Sequence, residues 1–148
     1  MLEKAIEIAV EAHRGQIDKS GKIYILHPIR VMLRGENEEQ MIVGILHDTI
    51  EDTPVTIEML KNEGFSQKVL DAIYCVTKKK NEDYEHFICR ILKNPLATQV
   101  KLYDLEDNMN RDRIPYPTKK DEERYKKYEK YHEIVKDQVL EYKKKGLL

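Results

Sequence analysis

The chain has 148 residues, of which 36% are charged and 41% apolar, with a formal net charge of −1 at pH 7; this suits a single soluble helical domain, 1–148, with room for a core. The balanced charge gives no global electrostatic case for nucleic acid or an anionic membrane as a partner, and no apolar run reaches the roughly 18–20 residues needed to span a bilayer. Cys75 and Cys89 stand alone without a CxxC pair and read as buried free thiols of a reducing cytoplasm, while the acidic, amphipathic stretch Met1 to Glu7 is unlike a signal peptide.

In chain order, nearly every segment has the periodicity of an α-helix. Leu2 to Arg14 places Leu2, Ile6, Ala9 and Val10 on one face, with Ala5, Ala12 and His13 beside it, and Gly15 as a stop. Ser20-Gly21-Lys22 reads as a turn, and Tyr24 to Leu26 as a short extended piece. Pro28 can open a second helix running to Gly35. Asn37 and Gln40, three apart, form a capping-box pattern ahead of the apolar stretch Met41 to Leu46. The chain restarts at Thr53-Pro54 and Thr56, and Phe65-Ser66 leads into a buried helix containing Val69, Leu70, Ala72, Ile73 and Val76. Asn81 is placed to cap the next helix, which Asn94-Pro95 ends. Leu96 to Arg113 is a sixth helical stretch, with Ala97, Val100, Lys101, Asp104 and Asn108 on one face. After the break at Ile114 to Pro117, Thr118 can cap a long final helix whose stripe of Tyr125, Tyr128, His132, Val135, Val139 and Tyr142 packs on the body of the domain. The resulting architecture is all-α, a multi-helix unit with a long C-terminal helix.

The chemistry concentrates at His47-Asp48-Thr49-Ile50-Glu51-Asp52, at the end of the apolar helix. On a continuous helix His47 stacks with Glu51 and Asp48 with Asp52. Four ionisable groups there are costly to desolvate without a compensating partner, which a divalent metal would supply. His27, before Pro28, and Asp104, inside Val100 to Leu105, are further candidates. Singly, each has a plain explanation: a solvated or core histidine, and half of an ion pair with Lys101. With His47 and Asp48 they make two imidazoles and two carboxylates, a set suited to Mn²⁺, Fe²⁺ or Zn²⁺.

The order His27, His47-Asp48, Asp104 resembles the H…HD…D pattern of the HD phosphohydrolase superfamily. The strings Ala12 to Gln16, Lys19-Ser20-Gly21, Tyr24 to Pro28, Leu46 to Thr53, Val76-Thr77-Lys78 and Val100 to Asp104 with Asn108 resemble the hydrolase domain of RelA/SpoT-type alarmone enzymes, in particular the small stand-alone Mesh1-like group. The resemblance runs from about Ala5 to Asn108, with a weaker extension to Tyr128. It implies an all-helical HD-domain fold holding one Mn²⁺ on His27, His47, Asp48 and Asp104, with Glu51 and Asp52 as the acidic pair that positions or deprotonates the attacking water. It implies a (p)ppGpp 3′-pyrophosphohydrolase, with a phosphorylated nucleotide as substrate. Lys19, Ser20 and Asn108 match nucleotide-binding positions, and Arg124 and Tyr128 resemble a pocket-lining pair. Asp18 and Asn110 depart from the pattern, since the family has arginine at the first and reads Met-Arg where this chain has Met109-Asn110-Arg111. Arg111 or Arg113 is a candidate to restore the charge, and Lys78-Lys79-Lys80 reads as a solvated helix end. His13, His86 and His132 read as structural. The length leaves no room for a synthetase domain. Two rival readings remain at this point: an HD phosphohydrolase for another nucleotide, and a non-catalytic nucleotide-binding module. Oligomeric state is open.

Overall fold

A computed structural model describes residues 1–148. The chain folds as α1 (Leu2–Ala12), α2 (Leu26–Leu33), α3 (Glu38–Leu46), α4 (Thr49–Asp52), α5 (Ile57–Asn62), α6 (Gln67–Val76), α7 (Tyr84–Leu92), α8 (Pro95–Asn108), a 3-10 turn at Arg111–Arg113, and α9 (Lys119–Lys144). There are no strands beyond a single bridge, Ile17 to Ile23, which closes the loop carrying Lys19 and Ser20. No helix is long and apolar enough to cross a membrane.

Helix α8 is the central strut. Its buried residues include Leu96, Ala97, Val100, Tyr103, Asp104, Leu105 and Asp107, on all sides of the helix, as expected for a helix enclosed by others. It packs on α2, α3, α6, α7 and α9. Asn94 caps it by accepting from Ala97 N, and Pro95 occupies its first turn, where the missing N–H costs nothing. The larger core cluster joins Val31, Ile45, Leu46, Ile73, Ile91 and Val100, and a smaller one joins Leu102 and Leu105 to Val135 and Val139 of α9. The expected cap at Thr118 is present and forms a capping box with Asp121, and Tyr125, Val135 and Val139 are the buried members of the α9 stripe.

Several sequence expectations need correction. Val10 is exposed, while Ala5, Ala9 and His13 are buried. Tyr24-Ile25 is a turn rather than an extended piece, so α2 begins at Leu26 with Pro28 as its third residue. Asn37 accepts from Gln40 N, but the Gln40 side chain accepts from Glu36 N, so the capping box is only half formed. Asn81 has φ of 63° and lies in the turn before α7, whose N-cap is Asp83. Leu96 to Arg113 breaks at Asn108, and the 3-10 turn starts after Asn110, whose carboxamide accepts from Asp112 N. Cys89 is exposed and Cys75 half-buried.

The most consequential difference is at His47-Asp48. The helix ends at Leu46 and restarts at Thr49. Two side chains take over the carbonyls at this point: His47 Nδ1 donates to Gly44 O at 2.6 Å and Thr49 Oγ1 donates to Leu46 O at 2.8 Å. Such local bonds compete with the helical ladder. The face-sharing of His47 with Glu51 therefore does not follow from a continuous helix; a bend brings both into one cleft.

Candidate metal centre and cleft

His27 comes from α2, His47 and Asp48 from the α3–α4 bend, and Asp104 from the middle of α8. Gly44 permits the approach of the first two helices: a Cβ there would lie 3.1 Å from both Met32 Cα and Met32 N. His27, His47 and Asp104 offer ligand atoms all within 4.8 Å of one another, and all three residues are buried. Asp104 Oδ1 lies 2.9 Å from His27 Nε2 and 3.3 Å from His47 Nε2. Asp48 Oδ2 lies 3.2 Å from His47 Nε2 and 3.7 Å from His27 Nε2.

The orientation of each ring is fixed from behind. His47 Nδ1 faces a backbone carbonyl, and His27 Nδ1 faces the Asp107 carboxylate at 2.6 Å. Both partners can only accept while Asp107 is ionised, so both Nδ1 atoms carry a proton. Nε2 is then the atom that each ring turns towards the carboxylates. His47 Nε2 is buried and makes no hydrogen bond.

Electrostatics agree with a cation at this point. Burial by itself would lower the His47 pKa, yet Asp48 and Asp104 raise it well above the usual histidine value. Burial would likewise raise Asp104, but Lys101 and His47 hold it well below the usual carboxylate range. The group demands positive charge. Two imidazole nitrogens, one of them without a hydrogen bond, and two carboxylates form a donor set that fits a divalent transition ion. The alternative explanation of Asp104 is also partly realised, because Lys101 Nζ pairs with its other oxygen, Oδ2, at 2.8 Å. Lys101 thereby leaves Oδ1 directed at the histidines.

These residues sit in the floor of a cleft of about 530 Å³. The residues that the resemblance assigned to metal, acid and nucleotide roles all line it: Lys19, Ser20, His27, His47, Asp48, Glu51, Asp52, Asp104, Asn108, Arg124 and Tyr128. Glu51 accepts from Lys78 N at 3.0 Å, and burial raises its pKa. Burial, then the neighbouring carboxylates of Asp48 and Glu51, push Asp52 up to about 6. Asn108 Nδ2 donates to Asp104 Oδ1 at 3.1 Å. Arg124 pairs with Asp121 at 3.0 Å.

Asp18, the departure from the expected arginine, has an internal use. Its Oδ1 accepts from Ser20 N, Ser20 Oγ and Lys22 N, so it ties the turn and occupies the Ser20 hydroxyl proton. Arg113 Nη2 lies 3.9 Å from Asp18 Oδ2, and Arg113 lines the cleft. Arg111 instead pairs with Glu122 at 2.9 Å and lies over the Tyr125 ring. His13 is buried against Gln16 and Tyr24, as a structural residue would be, and His132 lies 3.5 Å from Glu106.

Three cleft residues that bear on the site, Tyr24, Tyr84 and Lys101, had no part in the sequence reading as site residues. Tyr24 donates its hydroxyl to Asp48 Oδ2. Tyr84 brings a buried hydroxyl without a partner, with Lys127 Nζ 3.6 Å from its ring centroid. Lys101 was weighed only as an ion-pair partner. Outside the cleft, Asp107 was missed altogether; its spacing of three from Asp104 puts both on one side of α8, which was the available signal.

No family model matches the chain. Among curated proteins it is 35% identical over 120 residues to the guanosine-3′,5′-bis(diphosphate) 3′-pyrophosphohydrolase of Aquifex aeolicus, a match covering 73% of this chain. It is 33% identical over 127 residues, 74% of the chain, to the GTP pyrophosphokinase of Myxococcus xanthus. In each case the matched region is 17% of the relative's own length. Among solved structures it resembles a protein described as a metazoan ortholog of SpoT that hydrolyzes ppGpp and plays a role in starvation responses. That likeness has a TM-score of 0.72 and 21% identity, and covers 99% of this chain and 96% of the other; it establishes the shared fold.

Proposed function

We propose, from the premise that the chain belongs to the RelA/SpoT-type HD-domain family, that it is a metal-dependent phosphohydrolase that removes pyrophosphate from the 3′ position of (p)ppGpp. The observation that carries this reading is the convergence of His27 Nε2, His47 Nε2 and Asp104 Oδ1 within 4.8 Å, in the floor of a cleft that also holds Glu51 and Asp52. Relatives bear both hydrolase and pyrophosphokinase names, and this chain matches only part of either; the carboxylate and imidazole set favours the hydrolase.

His27, His47, Asp48 and Asp104 would hold the ion, which we take to be Mn²⁺. When bound, such an ion lowers the pKa of water and offsets phosphoryl charge. The remaining work falls to the chain. Asp52, with its pKa near 6, is ionised at neutral pH yet basic enough to take a proton from water. Glu51, anchored through Lys78 N, positions that water. In the reaction, water adds to the phosphorus next to the 3′ oxygen, the bond between them breaks, the water's proton passes to the acidic pair, and the 3′ oxygen leaves and is protonated. Lys19, Ser20, Asn108, Arg124 and Tyr128 line the nucleotide side of the cleft. Lys19 and Arg124 are the cations suited to phosphate, and the aromatic face of Tyr128 is suited to a base or sugar.

The test is ppGpp hydrolysis by Mn²⁺-loaded protein, followed as pyrophosphate and GDP. Turnover is expected, and is expected to vanish in Asp48→Ala together with metal binding. Metal bound without turnover overturns the substrate assignment. One observation favours a second reading, a different phosphorylated nucleotide: Asp18 puts a carboxylate in the cleft wall, where it repels phosphate. A nucleotide panel under the same conditions separates the two.

A further inference from the structure

We infer that Asp107 is a positioning residue for the metal centre, acting through His27. This rests on the reading of His27 as a ligand. Asp107 is 1% exposed and lies one helical turn beyond Asp104 on α8, behind the imidazole rather than in the cleft. Its Oδ2 accepts from His27 Nδ1 at 2.6 Å. The same carboxylate accepts from Arg30 Nε at 2.8 Å, Arg30 Nη2 at 3.2 Å and Arg113 Nη1 at 3.1 Å. Arg30 stands three residues after His27 on α2, so one helix supplies both the imidazole and a clamp on its partner. Arg113 reaches in from the 3-10 turn and also donates to Asn108 Oδ1 at 3.0 Å.

The chemistry of these groups gives Asp107 a direction of action. Two guanidiniums keep its carboxylate ionised, and an ionised carboxylate only accepts. His27 Nδ1 must therefore be the donor, the ring cannot adopt the opposite tautomer, and Nε2 faces Asp104 and Asp48. A carboxylate behind a ligating imidazole also raises its basicity towards a metal. His47 has only the Gly44 carbonyl behind it, so the two rings differ: one is backed by a neutral acceptor and the other by a charge clamped from two sides. Arg113 further links this support to the cleft wall, where its Nη2 lies 3.9 Å from Asp18 Oδ2. A purely structural ion cluster would need no imidazole among its partners, and its loss would change stability alone.

The experiment compares wild type, Asp107→Asn and Arg30→Gln as full-length proteins. Mn²⁺ affinity is measured by competition with a chelator, after circular dichroism has shown each protein folded at the assay temperature. Loss of the carboxylate in Asp107→Asn should weaken the ion about 10–100-fold. Arg30→Gln removes a clamp but keeps the His27–Asp107 bond, and should stay much closer to wild type. In Zn²⁺-loaded, ¹⁵N-labelled protein, the His27 Nδ1 proton should be visible and slow to exchange in wild type, and fast in Asp107→Asn. Equal affinities in folded wild type and Asp107→Asn, with unchanged His27 signals, overturn the inference while leaving the metal reading intact. Failure of wild type to bind Mn²⁺ or Zn²⁺ overturns the metal reading and this inference with it.

Discussion

A buried nitrogen without a hydrogen bond, such as His47 Nε2, costs stability unless something else satisfies it, and the carboxylates of Asp48 and Asp104 around it say that the missing partner is positive. The acids at the next turn have a separable task. Glu51 is outside the group of ligand atoms that lie within 4.8 Å of one another and accepts from Lys78 N, so Glu51→Ala should keep the metal and lose turnover, by about 10²–10⁴-fold if it serves proton transfer; chelator competition and steady-state kinetics on the same sample check both halves. Asp52 gives a pH signature. Its folded pKa is raised from 3.8 to about 6, so the folded state holds its proton more tightly than the unfolded state, and stability falls as pH rises between those values. Metal-free wild type should therefore match Asp52→Asn near pH 4 and become the less stable of the two by pH 7, read as a difference in thermal midpoint with chelator present. Equal midpoints at pH 7 would remove the strain assigned to this carboxylate. At this scale the ligand residues were legible because their types and order are themselves the signal. Their supports were not. Asp107 and Tyr24 acquire a role only when α8 meets α2 and when the Tyr24 turn meets Asp48, contacts spanning 80 and 24 residues of chain.

Elements matter here through where they stop and how closely they pass. Patterning identified the helical class and the long helices, since apolar periodicity is set by the core they share, but it gave seven stretches where the chain has nine α-helices: α3 and α4 were read as one, and the short α5 (Ile57–Asn62) was read only as a restart of the chain. It failed at stops decided by side chains, as at His47-Asp48, where an imidazole and a hydroxyl take the carbonyls that a continuing helix would use, and at Asn81, whose positive φ makes a turn rather than a cap. The α2–α3 crossing is decided by a single missing methyl group. A Cβ at Gly44 would press on the Met32 backbone at 3.1 Å, and backbone of a buried helix has little room to yield. Gly44→Ala should thus destabilise the fold by about 1–3 kcal/mol. It should also move α2, with His27, away from the bend that carries His47. Weaker metal binding should accompany the lower stability, measured by denaturant melts and chelator competition. A melt loss without an affinity loss would show that the helices separate at Met32 and not at the histidines.

On the scale of the molecule, the centre draws on α2, the α3–α4 bend and α8, while the cleft walls come from the loop around Lys19 and from α9. A cation bound at that junction would tie together helices that the core clusters join only at their apolar faces. Apart from the ion, like charges oppose closure: Asp48, Glu51, Asp52 and Asp104 all line the cleft, with Lys101 as the buried counter-charge. Binding to the folded state alone stabilises by mass action, about 2.7 kcal/mol at a hundredfold excess over the dissociation constant. For a domain of this size that is a rise of several degrees in thermal midpoint. Mn²⁺ should raise the midpoint, excess chelator should return it, and Asp48→Ala should not respond. The Glu51→Ala protein should respond as wild type does, because its lesion lies in turnover. A wild-type midpoint indifferent to Mn²⁺, Zn²⁺ and Fe²⁺ would mean that Lys101 and the protonated histidines already satisfy the carboxylates, and that the cleft works without an ion.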